Sequence, residues 1–223
     1  MKKLAALAAV ALASCAFAAK PATEGAALGA WTMDMKAAQA LAKQENKPLF
    51  LCFTGSDWCG WCKLMEKNVF SEPEWGAYAK ENLVLVWLDF PQNAALVPEA
   101  IAKQNDELAK LYEITGFPTY VLLSPEGKEV GRLGANRQAD AESFARQVDG
   151  VFALQSAEKY LSAEDYAGYK ALLEERDALQ AKFEAWQKRL QQEGEAFEKM
   201  QGSIAERLDA YTQKAVDAYK AKK

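Results

Sequence analysis

The sequence predicts an α/β domain, with a central mixed sheet flanked by helices, followed by a long α-helical extension. Three compact apolar runs, 48–54, 83–89 and 118–124, have the length and composition of strands buried on both faces. Segments of helix-favouring residues separate these runs, and such alternation is typical of an α/β layer fold. The last third of the chain contains no proline, which predicts a continuous helical region and not a second catalytic domain.

The helices and the final hairpin follow from local signals. Helices are predicted over 34–45, where Asp34 suits the N-cap, then from Cys59 to about 68, over 73–81, where Pro73 suits the first turn, over 99–112 and over about 138–154. The turn 124–127 has Pro at its second position and Gly at its fourth. It predicts a hairpin between 118–124 and 128–133, so these last two strands must be antiparallel.

Two cysteines three residues apart, Cys59 and Cys62, indicate thiol–disulfide exchange. A structural zinc site would need two more ligands, and the chain has neither a histidine nor a second pair of this spacing. Haem attachment would need a histidine at position 63, where this chain has Lys63. A purely structural disulfide remains open, although so small a loop removes little entropy from the unfolded chain.

The position of Cys59 at the start of a predicted helix favours its thiolate, because unpaired backbone N–H groups and the helix dipole stabilise negative charge there. We therefore expect Cys59 to be the nucleophile, with a pKa below that of free cysteine. Cys62, one turn further in, is expected to be more shielded and to resolve the mixed disulfide. Lys63 adds a positive charge near the pair, whereas Asp57 opposes thiolate formation.

Two motifs carry a family resemblance. Residues 53–62 read F-T-G-S-D-W-C-G-W-C, and residues 114–119 read I-T-G-F-P-T. Together they resemble the thioredoxin superfamily, specifically the exported bacterial thioredoxin-like proteins, over roughly residues 31–154. The resemblance implies a thioredoxin fold and a thiol–disulfide oxidoreductase that uses no metal and no organic cofactor. It also implies that Pro118 follows a cis peptide bond and that Phe117 meets the backbone of a bound peptide.

The chain departs from this family in its buried acid. Thioredoxins usually carry an aspartate on the strand before the motif, as the proton acceptor for the resolving cysteine. Cys52 occupies that place here if the following loop is one residue longer. Cys52 is expected to be a small buried apolar side chain, with a third redox thiol as the alternative. Asp89, at the end of the second predicted strand, is the nearest replacement acid by topology.

Trp58 and Trp61 flank Cys59 and, with Gly60, suggest an apolar platform for a polypeptide substrate. Trp58 has a second interpretation, in which it only packs on the rim of the domain. Trp61 lies between the cysteines and is expected to contact a partner. It also replaces the proline of many thioredoxins, so their redox potential cannot be assumed here.

The N-terminus has the layout of a secretory signal peptide over residues 1–18, with Lys2 and Lys3 before the apolar stretch 4–13. Two processing sites compete. Residues 16–18 fit cleavage after A-x-A, while 12–15 resemble a lipobox in which Cys15 becomes a lipidated first residue. Either predicts an exported protein, periplasmic or anchored as a lipoprotein. A linker over 19–30, a thioredoxin-like domain over 31–155 and a helical extension over 156–223 follow.

Composition limits the partners. The chain has 27 basic and 31 acidic residues and a net charge of −4. Removal of residues 1–18 would also remove the positive charges of Lys2 and Lys3 and make the net charge more negative. This balance argues against nucleic-acid binding, which needs a basic surface. No later apolar run has the length of a membrane span. The expected partners are cysteine-containing exported polypeptides and a second protein that restores the redox state of the cysteine pair.

The helical extension carries an apolar seam at alternating four- and three-residue steps, which is the spacing of a coiled coil. Its members are Leu179, Phe183, Trp186, Leu190, Phe197, Met200 and Ile204, with Glu193 as the polar interruption. The partner helix could come from a second copy, from a hairpin near Gly194 or Gly202, or from the thioredoxin-like domain. We expect the segment to mediate self-association, and a homodimer through 156–223 is one such form.

These observations predict an exported oxidoreductase that exchanges disulfides through Cys59 and Cys62, with reduction or isomerisation favoured over oxidation. The alternative is a binding module that keeps the fold but holds a partner with its Trp-rich face and helical tail. Replacing Cys59 distinguishes the two, because only an enzyme would lose its function.

Overall fold

The computed structural model describes residues 20–222, which divide into two compact units, the first reaching Ala157 and the second beginning at Glu158. The first unit contains the α/β fold and the second is almost entirely one helix. The predicted signal peptide over 1–18 and the lipidation candidate Cys15 lie outside the described residues. Within residues 20–222, no helix is long and apolar enough to cross a membrane.

A five-stranded mixed sheet forms the centre of the first unit, with strand order β1-β3-β2-β4-β5. The strands are β1 (Trp31–Thr32), β2 (Leu49–Thr54), β3 (Val84–Asp89), β4 (Thr119–Leu123) and β5 (Glu129–Gly134). β1, β3 and β2 are parallel, while β4 is antiparallel to both β2 and β5. The predicted hairpin and its antiparallel pairing are confirmed. β1 was not predicted, because two residues are too few to show a periodic pattern.

The helices begin and end close to the predicted residues. They are α1 (Met35–Glu45), α2 (Gly60–Met65), α3 (Pro73–Asn82), α4 (Glu99–Leu111), α5 (Ala141–Leu154), α6 (Ala157–Tyr160) and α7 (Ala163–Ala221). Asp34 caps α1 as expected, with its carboxylate accepting from the Ala37 amide at 2.9 Å. α2 ends earlier than predicted, because a π-helical turn over Glu66–Phe70 continues it.

The core lies on both faces of β2, all six residues of which are buried. On one face Phe50 packs among aromatic rings, with centroids 5.3 Å from both Trp75 and Tyr120. On the other face Leu51 and Phe53 belong to a cluster that includes residues of α1. Burying side chains of this size stabilises the fold by roughly 1.5–3 kcal/mol each, which holds the sheet in one register.

Strand direction brings the functional loops together. β2 and β3 run parallel, so the loop after Thr54 and the residue Asp89 lie at the same edge of the sheet. β4 is antiparallel to β2 and Phe53 pairs with Thr119, so β4 begins where β2 ends. The cysteine loop, Asp89 and the segment before β4 therefore meet at one edge.

The second unit is dominated by α7, an uninterrupted helix of 59 residues, or about 88 Å. Ser162 caps it through a 3.1 Å bond that its hydroxyl accepts from the Asp165 amide. The helix continues through Gly194 and Gly202, so the alternative in which this segment folds into a hairpin is wrong. Neither glycine breaks the helix, because an isolated glycine costs only about 1 kcal/mol relative to alanine.

Candidate active site

The cysteine pair lies at the start of α2 and forms a disulfide, with Cα atoms 5.2 Å apart. Cys59 is the N-cap residue, its backbone is extended, and its Sγ accepts from the Cys62 amide at 3.1 Å. The Cys59 amide in turn donates to the Gly55 carbonyl at 2.8 Å. The sequence prediction that Cys59 opens this helix is confirmed. Its thiolate would therefore be close to unpaired N–H groups in the reduced state.

The two cysteines are almost equally buried, contrary to the expectation that Cys62 is more shielded. Cys59 is 5% exposed and Cys62 is 4% exposed, so Cys62 is not measurably more shielded. Both residues are buried in the disulfide-bonded state. The assignment of separate roles rests on the position of Cys59 at the helix N-terminus and not on access to solvent.

The peptide bond between Phe117 and Pro118 is cis, as the resemblance implied. Phe117 is half-buried and Pro118 is buried. The ring of Phe117 contacts Trp58 edge-on at 5.6 Å between centroids, and also Phe90 at 5.2 Å. The segment before β4 thus packs directly beside the loop that carries Cys59.

Trp58 both packs on the rim of the domain and leaves part of its ring exposed, so it fits both of its predicted roles. Its indole nitrogen donates to the Phe90 carbonyl at 2.7 Å, and its ring packs so closely on Gly55 that no Cβ would fit there. The side chain is nevertheless 42% exposed. Trp58 is therefore fixed on the rim of the domain and still presents apolar surface beside Cys59.

Trp61 extends outward between the cysteines and is 44% exposed. Arg137, from the segment before α5, lies over its ring at 5.2 Å. Gly60 between Trp61 and Cys59 is exposed, and no atom beyond its chain neighbours lies within 4 Å of an added Cβ. Nothing in the sequence connected Arg137 with the cysteine loop, because the two segments are far apart along the chain.

Asp57 and Lys63 lie beside the pair but are bonded to backbone groups. The Asp57 carboxylate accepts from the amides of Asn93 at 2.9 Å and Gln92 at 3.0 Å. These hydrogen bonds lower the pKa of Asp57, and the bond from the Asn93 amide has the largest effect. The carboxyl is therefore ionised at neutral pH. The Lys63 ammonium donates to the Asp57 carbonyl at 2.6 Å. Both residues thereby fix the loop around Cys59.

A second cluster surrounds Cys52. The Cys52 side chain is 1% exposed and its thiol is free. The pKa of this thiol is raised well above the ordinary value, chiefly by burial and to a smaller extent by the nearby Asp89 carboxylate. Asp89 is buried at the end of β3, where it accepts from the Ser56 amide at 2.9 Å and the Ser56 hydroxyl at 2.6 Å. Asn105 donates to the Asp89 carbonyl at 3.0 Å.

The Asp89 carboxylate shares a cavity of about 430 Å³ with Glu66 and Ser56. The pKa of Glu66 is raised, chiefly by partial desolvation and to a smaller extent by the negative charge of Asp89. Sequence reasoning identified Asp89 by topology but missed Ser56 and Glu66. Glu66 lies four residues after Cys62, one helical turn further along, and that spacing was the available signal.

Comparison with known proteins agrees with this architecture. Residues 35–149 match the Thioredoxin-like domain, which is more than half of the chain. The chain belongs to the thioredoxin-like family. The match includes the disulfide, the cis-Pro loop and four of the five strands, all but β1. The long helix lies outside it.

Named relatives are disulfide enzymes or thioredoxin-related proteins. Disulfide bond reductase DsbH of Chlamydia pneumoniae is 42% identical over 93 residues, which is 42% of this chain and 55% of that protein. Thioredoxin-related protein DsbJ of the same organism is 32% identical over 105 residues, 47% of this chain and 30% of that protein. The matched part thus spans about half, or less, of these two curated relatives.

A solved structure titled DsbH Oxidoreductase superposes with a TM-score of 0.53 at 32% identity, covering 61% of this chain and 96% of that one. This similarity shows the same mixed sheet with flanking helices. Within residues 20–222, no group of three or more histidine, cysteine, aspartate or glutamate side chains is placed to hold a metal ion.

Proposed function

We propose that the protein is an exported thiol–disulfide oxidoreductase that acts on disulfides in other exported polypeptides, with reduction as the favoured direction. The observation that carries this proposal is the Cys59–Cys62 disulfide at the start of α2, beside the cis-Pro loop. The name of the relative DsbH, a disulfide bond reductase, supports the direction. Isomerisation uses the same groups and differs in the partner and the redox potential.

The reaction begins with the reduced pair. The Cys59 thiolate attacks one sulfur of a substrate disulfide, the substrate S–S bond breaks, and one substrate thiolate leaves. The Cys62 thiolate then attacks Cys59 Sγ, which releases the second substrate sulfur as a thiolate and forms the Cys59–Cys62 disulfide. Two electrons have moved to the substrate. A dithiol partner must reduce the pair again before the next cycle.

The second step needs a base for the Cys62 thiol. Cys52 cannot supply it, because burial and nearby negative charge keep that thiol protonated. We assign this role to the carboxylates of Asp89 and Glu66, acting through water in the cavity that they line. Ser56 holds Asp89 in place through two hydrogen bonds and acts as a positioning residue.

Substrate binding is assigned to the surface around the disulfide. Trp58 and Trp61 are both more than two-fifths exposed and offer apolar area to an unfolded polypeptide. Gly60 leaves room for a chain to approach between them. Phe117, which packs on Trp58, and Pro118 extend this surface, and we assign the backbone groups of Phe117 to an extended peptide.

The location of the protein rests on its N-terminus. A basic start followed by an apolar stretch supports export to the periplasm, and the lipobox at 12–15 supports anchoring through Cys15. Mass spectrometry of the native protein distinguishes these outcomes, because lipid on Cys15 adds a mass that cleavage after Ala18 cannot give. An unprocessed N-terminus would contradict export.

A redox titration of the purified protein tests the proposed activity. In graded glutathione buffers, a reversible Cys59–Cys62 transition near about −270 mV indicates a reductant, and one near about −120 mV an oxidant. Cys59→Ser should abolish reduction of a disulfide-containing polypeptide, whereas Cys62→Ser should accumulate the mixed disulfide through Cys59. A pair locked in one state, with partner binding unaffected by Cys59→Ser, would instead support the binding module.

A further inference from the structure

The helix α7 presents a long apolar stripe to solvent. Residues of this stripe are 49% to 70% exposed. They are Leu172, Leu179, Phe183, Trp186, Leu190, Phe197, Met200, Ile204 and Tyr211. The rings of Phe183 and Trp186 stack on one another at 5.8 Å, which makes a flat apolar surface at the middle of the helix. A stripe of this length exceeds what a monomer ordinarily exposes, so it needs a covering partner.

The stripe follows the heptad positions a and d of a coiled coil. Between residues 172 and 211, three charged residues, Arg176, Glu193 and Arg207, occupy the same positions. In a parallel dimer in register, each of these residues would face its own copy, which places three like-charge pairs at the seam. Parallel pairing is therefore disfavoured by the charges on the seam itself.

We propose that the partner of α7 is the α7 of a second copy, packed antiparallel about a two-fold axis between Gln191 and Gln192. Residue 163 then lies opposite residue 220 of the second copy, so the two helices overlap along their whole length. The large apolar residues meet each other across the seam in the pairs Leu172–Tyr211, Leu179–Ile204, Phe183–Met200 and Trp186–Phe197.

The same register matches the charges. In an antiparallel pair, each d residue is flanked by a g residue of the other helix. Glu193 therefore lies beside Arg189 of the second copy, and Arg207 lies beside Glu175 of the second copy. The ion pairs within residues 20–222 are Glu129–Arg132, Glu142–Arg146 and Arg176–Asp177. The charges that the dimer uses are thus not engaged within one chain.

A surface depression marks the proposed axis. It is lined by Trp186, Arg189, Leu190 and Glu193. In this register, Leu190 and Glu193 of the second copy enter the depression, which places that carboxylate against Arg189. The like-charge contact in this register is between Arg176 and Arg207 of the second copy. It occurs twice by symmetry, and the Glu175 next to each Arg176 offsets it.

Registers shifted by one heptad are worse. One shift places Phe183 against Glu193 of the second copy and brings Arg189 beside Arg189 of the second copy. The opposite shift places Phe183 against Arg207 and Phe197 against Glu193 of the second copy. Each therefore loses apolar pairs or brings like charges together.

The antiparallel arrangement separates the points at which the two thioredoxin-fold units join the paired helices. The N-termini of the two helices, each preceded in sequence by a thioredoxin-fold unit, are about 85 Å apart. The two cysteine pairs are therefore connected in sequence to opposite ends of the paired helices.

Cysteine cross-linking of the full chain tests the direction of pairing. Lys182 and Ser203 occupy g positions that face each other in this register, so chains with Lys182→Cys and Ser203→Cys should cross-link when mixed. Neither variant should cross-link to itself through the new cysteine. Mass spectrometry identifies the 182–203 link among the native cysteines. A self-link of Leu179→Cys, without the 182–203 link, would show parallel helices and overturn the proposal.

A charge reversal tests the register by light scattering. Glu193→Arg should weaken dimerisation at least about tenfold, because it places arginine beside Arg189 of the second copy. Adding Arg189→Glu should restore the dimer. The matched control Glu198→Arg lies away from the seam and should leave it unchanged. A monomeric wild-type chain would overturn the proposal. None of these readouts uses redox activity, so they are independent of the proposed function.

Discussion

Glu66 and Asp89 line one cavity, where partial desolvation and then the negative charge of Asp89 raise the pKa of the Glu66 carboxyl. Asp89 is fixed there by the amide and hydroxyl of Ser56. Two carboxyl groups close enough to influence one another give the site an acid that holds its proton at higher pH than an ordinary glutamate does. That property has consequences for stability and for turnover.

Stability should report the raised pKa of Glu66 directly. A raised pKa means that the folded state favours the protonated carboxyl. The contribution of protonated Glu66 to the free energy of unfolding is therefore present at acid pH and is lost as the pH rises through the folded pKa. Glu66→Gln should therefore stabilise the protein at pH 7, by less than about 1 kcal/mol because solvent screens the group. The gain should vanish near pH 4 in urea unfolding curves. An equal gain at both pH values would contradict this cause.

Turnover should depend on Asp89. Asp89→Asn keeps the shape of the side chain and removes the charge, so the Cys62 thiol loses its proposed base. We expect polypeptide reduction to slow by about 100-fold or more at pH 7, since positioned bases contribute factors of this size. Stopped-flow measurement should show that mixed-disulfide formation is unchanged while its resolution slows. Slowing of the first step instead would assign Asp89 to Cys59.

The comparison of sequence and structure separates local from tertiary information. Asp34 and Cys59 were placed correctly, because capping and helix starts depend on a few adjacent residues. The cis bond before Pro118 followed from the family resemblance. Arg137 over Trp61 was not predictable, because it depends on how distant segments pack. The same holds for the equal burial of Cys59 and Cys62.

The close contact of Gly55 with Trp58 predicts a site-specific defect. An alanine Cβ at position 55 would lie 2.4 Å from the Trp58 ring, so the indole must move and lose its bond to the Phe90 carbonyl. Gly55→Ala should raise KM for a polypeptide disulfide several-fold and shift tryptophan fluorescence to the red. Gly134→Ala, where an added Cβ meets nothing within 4 Å, is the control. An unchanged KM would show that Trp58 does not bind substrate.

The Cys52 thiol should be inert in the native protein. It is buried, and its raised pKa keeps it protonated, so it lacks the thiolate needed for alkylation or exchange. Iodoacetamide should leave Cys52 unmodified in the folded, oxidised protein and modify it in denaturant, as peptide mass spectrometry can show. Rapid labelling of Cys52 under native conditions would revive its role as a third redox thiol.

Asp57 should stabilise the loop around the active site in a pH-dependent way. Its pKa is lowered chiefly by the bond from the Asn93 amide, so the folded state favours the ionised carboxyl. This contribution is present above the unfolded pKa of about 3.9 and is lost as the pH falls through the lower folded value. Asp57→Asn should therefore lower Tm at pH 7, and the difference from wild type should close as the pH falls below the folded pKa of Asp57. Glu74→Gln, on the exposed first turn of α3, is the control for loss of one negative charge. A Tm difference that persists at low pH would assign the effect to side-chain geometry and not to the charge.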